Sequence, residues 1–286
     1  MLLKAHAKIN LTLDITGKRN DGYHDLDTVM QSISLYDTVD LTKNRQGTIH
    51  LTCNKITLPL DKHNTAYKAA QLIFEHCGQT DIGVNIHINK NIPSQAGMGG
   101  GSSDAAAVIN GMNKLFGFEL SQNEMVEIAA KVGADVPFCL SCSTSRCLGI
   151  GDIIENLPAM PFCHILVCKP PVGVDTGFAY KLCDKYPQDD YFMTPSMVNA
   201  IKANNLEQIA ENIGNRFDDI LQLPEVQIIK SIMDDCGALN ASMTGSGSSV
   251  FGIFTDEETM KYCGNRLSEL GEIFYCKPEN HEIEYE

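Results

Sequence analysis

Residues 92–109 read IPSQAGMGGGSSDAAAVI, in which four of the five positions from 97 to 101 are glycine. Because glycine loses more conformational freedom on folding than any other residue, such a cluster indicates a sharp turn, a close approach to a ligand, or a flexible linker. The alternating run at 83–89 predicts a strand before the cluster, and the apolar run at 105–116 predicts a helix after it. The glycines therefore join a strand to a helix inside a folded unit, which argues against the linker.

The residues that open this helix favour anion binding. Ser102, Ser103 and Asp104 are natural N-cap and first-turn residues, and we expect the Asp104 carboxylate to face the first backbone N–H groups of the helix. A helix N-terminus preceded by glycines lets an anion approach these N–H groups. No lysine follows the glycines as in a P-loop, and Ser102 stands where a dinucleotide-binding fingerprint has its third glycine. The pattern favours phosphate binding over a purely structural turn, but it does not identify the enzyme.

The composition of the chain limits the class of ligand that this loop can bind. Of the 286 residues, 43% are hydrophobic and 20% are charged, as in an ordinary globular protein. The 22 Lys and Arg residues against 36 Asp and Glu residues give a net charge of −14. This charge argues against binding a nucleic-acid polymer, but a small phosphorylated ligand remains compatible with it.

Neither a membrane span nor a signal peptide is predicted. No stretch approaches the ~20 apolar residues that a span needs, and MLLKAHAKINLTLDI at the start carries charges within its apolar pattern. The eleven cysteines are an odd number, and the C-x-x-C of Cys139 and Cys142 has no second pair at zinc spacing. We therefore expect a cytoplasmic protein with buried thiols, while the role of the Cys139, Cys142 and Cys147 group stays open.

The first half of the chain predicts a sheet with helices. The alternation of KINLTLDI at 8–15 indicates a half-buried strand with Lys8 and Asn10 on its polar face, and TVDLT and TIHLT indicate further antiparallel strands. A helix is predicted at 64–77, where apolar residues recur at helical spacing. Also predicted are a helix that begins with a capping box of Ser121 and Glu124 and an extended or turn segment at 134–137.

A Pro-containing stretch at 156–161 predicts a boundary between two domains, 1–157 and 158–286. The second domain is predicted to begin with the strand HILVCKP. Further predicted elements are helices near 195–213, 224–236 and 257–270, and strands at 241–243, at 250–254 and in IFYCK. This order of elements indicates a ferredoxin-like α+β layer.

The glycine run also carries a resemblance to a known superfamily. P-x-x-x-G-x-G-G-G-S-S-x-A, from Pro93 to Ala105, resembles the ATP-binding motif of the galactokinase, homoserine kinase, mevalonate kinase and phosphomevalonate kinase (GHMP) superfamily. Three further stretches resemble the 4-diphosphocytidyl-2-C-methyl-D-erythritol kinase family of the non-mevalonate (MEP) isoprenoid pathway: AKINLTLDITGKRNDGYHDLDTVM, VGADVPF and MTGSGSSVFGIF.

The resemblance implies an α+β, two-domain GHMP kinase fold. Its N-terminal domain would be like domain 2 of ribosomal protein S5, and its C-terminal domain would be ferredoxin-like. The implied reaction is the ATP-dependent phosphorylation of the 2-hydroxyl of 4-diphosphocytidyl-2-C-methyl-D-erythritol, with ATP and Mg²⁺ required. The implied partners are therefore two small molecules, bound by a monomer or a weak homodimer.

The resemblance also implies the catalytic pair and the ATP loop. Lys8 and Asp135 would be the catalytic residues: Asp135 would take the hydroxyl proton, and Lys8 would keep Asp135 ionised and stabilise the transferring group. The ATP-binding residues would be Pro93, Ser94, Gln95, Ala96, Gly97, Met98, Gly99, Gly100, Gly101, Ser102 and Ser103. Gln95 and Ala96 stand where many relatives have M-G or A-G, and Asp104 where some have Asn. The metal ligands stay open.

The same resemblance implies that residues from both halves of the chain bind the substrate. Asn10 would contact the reacting end of the substrate, and Tyr23 and His24 of the G-Y-H element would stack on and hydrogen-bond a cytosine. Tyr180, where many relatives have Phe, would supply the other aromatic face with Thr176 nearby. Gly245, Ser246 and Gly247 would brace the site or contact the ligand directly. A core plug beside a hairpin is the competing interpretation of Tyr23.

Three rival functions are weaker. Another kinase of the superfamily, acting on homoserine or a mevalonate derivative, does not account for the G-Y-H element or the A-K-I-N-L start. A catalytically silent nucleotide-binding regulator would have no need of both Lys8 and Asp135. A dinucleotide-dependent dehydrogenase lacks its third glycine.

Overall fold

The computed structural model describes residues 1–186 and 192–280; residues 187–191 and 281–286, inside the predicted second domain, lie outside the described part. The strands are β1 Leu2–Lys18, β2 His24–Asn44, β3 Ile49–Cys53, β4 Gly83–Asn89, β5 Thr144–Gly149, β6 Ile153–Asn156, β7 His164–Lys169, β8 Gly214–Asn215, β9 Asn240–Met243, β10 Val250–Phe254 and β11 Glu272–Cys276. The helices are α1 Thr65–His76, α2 Gly100–Phe116, α3 Gln122–Val132, α4 Val136–Cys139, α5 Thr176–Cys183, α6 Thr194–Lys202, α7 Leu206–Glu211, α8 Arg216–Leu221, α9 Pro224–Asp235 and α10 Glu257–Leu267.

The first sheet is built on the long hairpin of β1 and β2. Its strand order is β3-β4-β2-β1-β8, with β5 and β6 branching from β2. The predicted antiparallel pairing is confirmed for β1 and β2, but it is wrong for β3, which is parallel to β4. The segment between β3 and β4 contains helix α1, and a helical crossover is the usual connection between parallel neighbours. Among the described residues, no helix is both long and apolar enough to cross a membrane.

Strand β1 is buried on both faces, although the sequence predicted a half-buried strand. Leu3 and Ala5 pack in the cluster beneath α1, α2 and α3, whereas Ile9 and Leu11 pack against the second sheet. The pairing of β1 with β2 is irregular between His6 and Lys8, where one residue of β1 lies opposite three residues of β2. Lys8 alternates with Ala7 and Ile9, which pack in the core between the two sheets, so its side chain points away from that core.

The second sheet is antiparallel, with strand order β11-β7-β10-β9, and α9 and α10 pack on it. Its ferredoxin-like α+β arrangement agrees with the prediction. The helix predicted near 195–213 is two helices: α6 ends at Lys202 with Ala203 as its C-cap, and Asn205 caps α7 by accepting from the Gln208 backbone N–H. Helices α5 and α8 were not predicted. The helix predicted to reach 270 ends at Leu267.

The two halves of the chain share the first sheet. Strand β8 pairs in parallel with β1, and Ile33 forms a bridge with Pro278 near the end of the described chain. The second sheet begins at His164. The boundary between 157 and 158 stays a prediction.

Candidate active site

An open cleft of about 1300 Å³ runs between the glycine loop, β1 and the second half of the chain. Its wall brings together most of the predicted site residues: Lys8, Asn10, Tyr23, His24, Gln95, Gly97, Gly99, Ser102, Asp135, Thr176, Tyr180, Gly245, Ser246 and Gly247. These residues come from distant parts of the chain. The cleft is therefore assembled by tertiary folding rather than by one local motif.

The glycine loop has a fixed backbone at the cleft. Gly97 and Gly99 have φ angles of 72° and 69°, the left-handed region that favours glycine. A Cβ at Gly97 would lie 2.0 Å from the carbonyl oxygen of Thr244, so the loop also lies against the MTGSGSS segment. The backbone N–H of Lys8 donates a 3.0 Å hydrogen bond to the Met98 carbonyl. The loop is thus held from two sides.

The helix after the loop begins earlier than predicted. Its N-cap is Gly99, in the left-handed conformation, so Ser102, Ser103 and Asp104 lie within its first turns and the predicted Ser/Asp cap is wrong. Glycine permits the left-handed turn that starts the helix here, and no side-chain cap is used.

Only part of the predicted ATP loop faces the cleft. Gln95, Gly97, Gly99 and Ser102 line it, whereas Ala96, Met98 and Ser103 are buried. The Ser103 hydroxyl donates a 2.6 Å hydrogen bond to the His6 carbonyl and is committed to the interior. The backbone, rather than the serine at 103, is the part of the loop that can meet a ligand.

Lys8 and Asp135 face each other at the end of the loop. The Lys8 Nζ lies 3.5 Å from Asp135 Oδ2, and the Lys8 side chain is buried while the Asp135 side chain is 33% exposed. A Cβ at Gly99 would lie 3.0 Å from the Lys8 Cγ, so the loop also confines the lysine stem. An ammonium beside a solvent-accessible carboxylate is suited to proton abstraction next to a developing negative charge.

Asp135 caps a short helix, although the sequence predicted an extended or turn segment there. Helix α4 spans Val136–Cys139, with Pro137 in its first turn. Proline is tolerated at this place because the first N–H groups of a helix have no partner within it. The helix fixes the backbone on which the Asp135 carboxylate stands.

Asn10 connects Lys8 to the Gly245 loop. Its side-chain oxygen accepts from Lys8 Nζ at 2.7 Å and from the Gly245 N–H at 3.0 Å. Its amide nitrogen donates to the Thr28 hydroxyl at 2.9 Å. A Cβ at Gly245 would lie 2.9 Å from the Gly97 carbonyl, so this loop supports the glycine loop directly.

Aromatic rings gather at the other end of the cleft. His24 and Tyr180 are stacked, with ring centroids 4.9 Å apart, and Tyr180 meets Phe217 edge-on at 5.0 Å. Burial raises the pKa of the Tyr180 hydroxyl. Tyr23 is 61% exposed, so it is not a core plug. The Thr176 and Ser246 hydroxyls are 2.8 Å apart on the cleft wall.

Asp184 is a cleft residue that the sequence reasoning missed. Its carboxylate lies 2.9 Å from His24 Nε2 and 2.5 Å from Lys18 Nζ, and hydrogen bonds from both lower its pKa. The available signal was helical spacing: Asp184 follows Tyr180 by four residues, which places both on one face of α5. It could not be used because α5 itself was not predicted.

Asp104 does not face the helix N–H groups as expected. Its carboxylate is buried and accepts a 2.6 Å bond from Lys90 Nζ. A buried ammonium is a stronger partner than the partial charges of a helix end. Within the described residues there is no group of three or more His, Cys, Asp or Glu side chains suited to a metal ion, and all eleven cysteines are free thiols.

The fold and this cleft define a class of enzyme. The family of GHMP kinase N-terminal domains matches residues 64–143, which include the glycine loop, and the GHMP kinase C-terminal family matches residues 197–273. A homoserine kinase structure from Cytophaga hutchinsonii superposes with a TM-score of 0.79 at 17% identity, covering 99% of this chain and 96% of that one. The protein is a GHMP kinase.

Closer relatives narrow the class. A 4-diphosphocytidyl-2-C-methyl-D-erythritol kinase from Caldicellulosiruptor saccharolyticus is 45% identical over 269 residues, covering 93% of this chain and 92% of the relative. One from Lachnospira eligens is 41% identical over 94% of each chain. A crystal structure of a 4-(cytidine 5′-diphospho)-2C-methyl-D-erythritol kinase superposes with a TM-score of 0.84 at 29% identity, covering 98% and 100% of the two chains. The chain belongs to the 4-diphosphocytidyl-2-C-methyl-D-erythritol kinase family.

Proposed function

We propose that this enzyme phosphorylates the 2-hydroxyl of 4-diphosphocytidyl-2-C-methyl-D-erythritol with ATP, giving the 2-phosphate and ADP in the non-mevalonate isoprenoid pathway. The observation that carries the proposal is the contact of Lys8 with Asp135 at the end of the glycine loop. This pair supplies a base and a cation at the place where the γ-phosphate of an ATP molecule held by the loop would lie. Family membership supplies the identity of the substrate.

The residues of the cleft divide the steps of this reaction among them. The substrate hydroxyl oxygen attacks the γ-phosphorus, its proton passes to the Asp135 carboxylate, and the bond from that phosphorus to the β-phosphate oxygen breaks to release ADP. The Lys8 ammonium stabilises the charge on the transferring group. The N–H groups at the start of α2 hold the phosphates. Asn10 orients Lys8 through their 2.7 Å hydrogen bond and has one amide N–H left to offer the substrate.

The cytidyl end of the substrate would lie among the aromatic residues. Tyr23 projects into the open cleft and can stack on a cytosine. His24, held by Asp184 through Nε2, offers its ring edge for hydrogen bonding, and Tyr180 stacks on the face of the His24 ring. The Thr176 and Ser246 hydroxyls line the wall between the two ends. A kinase for a small amino acid or for mevalonate has no use for these rings.

Mg²⁺ is proposed to enter with ATP. The described residues hold no preformed cluster of metal ligands, so we assign the ion mainly to the ATP phosphates and water, the common arrangement for Mg²⁺. When bound, the ion neutralises phosphate charge. Among the lining residues, the Ser102 hydroxyl can add an oxygen ligand.

We also propose a cytoplasmic location and a monomeric or weakly dimeric state, with domains at 1–157 and 158–286. Eleven free thiols suit a reducing compartment.

A substrate panel tests the proposed reaction. Purified protein is assayed for ADP release with ATP, Mg²⁺ and, in turn, 4-diphosphocytidyl-2-C-methyl-D-erythritol, homoserine and mevalonate. Release only with the cytidyl substrate is expected, with phosphorus NMR locating the new phosphate on the 2-oxygen. No release from protein that unfolds cooperatively and binds an ATP analogue would overturn the proposal, and so would a preference for homoserine or mevalonate.

A further inference from the structure

A buried charged group that the proposed reaction does not use lies beneath the glycine loop. Lys90 directly follows β4, and its Nζ contacts the carboxylates of Asp37 on β2 and Asp104 on α2. The side chains of Lys90, Asp37 and Asp104 are 6%, 0% and 5% exposed. We call these three residues the loop triad. It lies in the core and not on the cleft wall.

The loop triad joins both ends of the loop to the sheet. Asp37 accepts hydrogen bonds from the backbone N–H groups of Asn91 and Ile92, at 2.5 and 2.8 Å, where the chain leaves β4 to form the loop. Asp104 stands in the first turns of α2, where the loop ends. One ammonium therefore sets the distance between the entry and the exit of the loop.

The packing around the Lys90 ammonium leaves little freedom. A Cβ at Gly100, the first residue of α2, would lie 3.2 Å from Lys90 Nζ and 3.0 Å from the Ile92 side chain. Displacement of the ammonium would therefore move the first turn of the helix. That turn carries the N–H groups assigned to the ATP phosphates.

The charges of the triad indicate a geometric rather than a stabilising role. Buried ion pairs add little net stability, because desolvation of the charges offsets their attraction. Burial alone would lower the pKa of Lys90, but the two carboxylates raise it above its ordinary value, so the ammonium stays charged. Asp104 Oδ1 has no hydrogen-bond partner, which leaves its other oxygen on Lys90 as its anchor.

We propose that Lys90, with Asp37 and Asp104, is a positioning residue that holds the glycine loop in its nucleotide-binding form. Lys90 does not contact ATP; it acts through the backbone of residues 91–100. This inference rests on the proposed function only in assigning the loop to ATP. It assigns to Lys90 a selective effect on nucleotide affinity.

The test distinguishes an effect on the geometry of the loop from the effect of an uncompensated buried charge. The double variant Lys90→Met/Asp104→Asn removes the ammonium together with one of its two carboxylates, so it avoids an uncompensated pair of carboxylates. Calorimetry measures its Kd for the non-hydrolysable analogue AMP-PNP with Mg²⁺, and for 4-diphosphocytidyl-2-C-methyl-D-erythritol. We expect the AMP-PNP Kd to rise at least tenfold, the KM for ATP to rise with it, and the Kd of the cytidyl substrate to stay within twofold.

Two further variants serve as controls for this test. Lys90→Arg keeps the charge but enlarges the head group against Gly100, so it should raise the AMP-PNP Kd in the same selective way. Lys230→Met removes a lysine from the buried Asp218 carboxylate elsewhere in the fold, and it should lower stability without changing that Kd. An AMP-PNP Kd within twofold of wild type in the folded double variant, or equal rises for both ligands, would overturn the inference.

Failure of the proposed function gives a different result. Wild-type protein that binds AMP-PNP but transfers no phosphate refutes the proposed reaction and leaves the role of Lys90 standing. Wild-type protein that does not bind AMP-PNP refutes both.

Discussion

The ammonium of Lys8 lies 3.5 Å from the carboxylate of Asp135, although 127 positions separate the two residues along the chain. Lys8 lies on the face of β1 opposite to that of Ala7 and Ile9, which pack between the two sheets, and helix α4 fixes the backbone at Asp135. The glycine loop ends beside this pair, because Gly99 packs on the lysine stem. The proposed phosphate-binding loop and the proposed base are thus brought together by the same short stretch of chain.

Removal of the base should abolish turnover without removing ATP binding. In Asp135→Asn the shape of the side chain is kept but its proton affinity is lost, so kcat should fall by about 10² to 10⁴, the usual contribution of a general base. The Kd for AMP-PNP should stay within about threefold, because the loop backbone is unchanged. Steady-state kinetics and calorimetry measure the two quantities.

Asp234→Asn is the matched control, since Asp234 is exposed on α9 and should give wild-type kcat. Near-wild-type turnover of Asp135→Asn would remove Asp135 from the mechanism.

Gly97 should tolerate alanine far less well than Gly117, although both have left-handed φ angles of 72° and 69°. At Gly117 nothing lies within 4 Å of an added Cβ, so Gly117→Ala should cost about 1–2 kcal/mol of backbone strain. At Gly97 the added Cβ would also lie 2.0 Å from the Thr244 carbonyl oxygen, so Gly97→Ala should cost more and weaken AMP-PNP binding. Urea denaturation of the two variants gives the difference directly. Equal losses of unfolding free energy would show that the loop can move away from Thr244.

Much of the site could be predicted from the sequence because its parts are local patterns. The glycine run between a strand and a helix follows from residues next to one another, and so does the alternation that places Lys8 and Asn10 two apart. The pairing of Lys8 with Asp135 came from resemblance alone. No local pattern indicates which strand residue meets which turn residue.

The rest depends on tertiary contacts that a pattern does not encode. The cap at Gly99 replaced the expected serine cap because the left-handed glycine starts the helix earlier. The sequence predicted that Asp104 would face the helix N–H groups. Its actual partner, Lys90, lies fourteen positions earlier in the chain and is brought to Asp104 only by the fold. The irregular pairing of β1 with β2 between His6 and Lys8 falls in a segment of β1 whose letters alternate evenly, so no local pattern predicts it.

Asp184 should set the affinity for the cytidyl substrate. Its carboxylate holds His24 Nε2 at 2.9 Å, which fixes the ring orientation that the proposal assigns to cytosine. In Asp184→Ala the KM for the cytidyl substrate should rise about tenfold, equivalent to about 1.4 kcal/mol, with kcat and the KM for ATP little changed. Substrate kinetics measure all three.

Lys261→Met is the control for this change, because it removes an exposed ion pair of little expected energy that does not line the cleft. A fall in kcat with an unchanged KM would place Asp184 in the chemical step instead.

Asp104 should make stability depend on pH in a definite direction. Burial raises the pKa of Asp104 to about 7 in the folded chain, above its ordinary value of 3.8, although the Lys90 ammonium acts to lower it and the Asp37 carboxylate adds to the rise. Between these two pH values the folded state binds a proton that the unfolded state has released, so this group's contribution to stability falls as pH rises to about 7 and then levels off. Asp104→Asn removes the titration. The unfolding free energy of the variant relative to wild type should therefore increase from pH 5 to pH 7 and stay constant to pH 8. Urea denaturation at each pH measures this difference, with Asp234→Asn as the surface control, and a difference that does not change with pH would mean that Asp104 is ionised throughout.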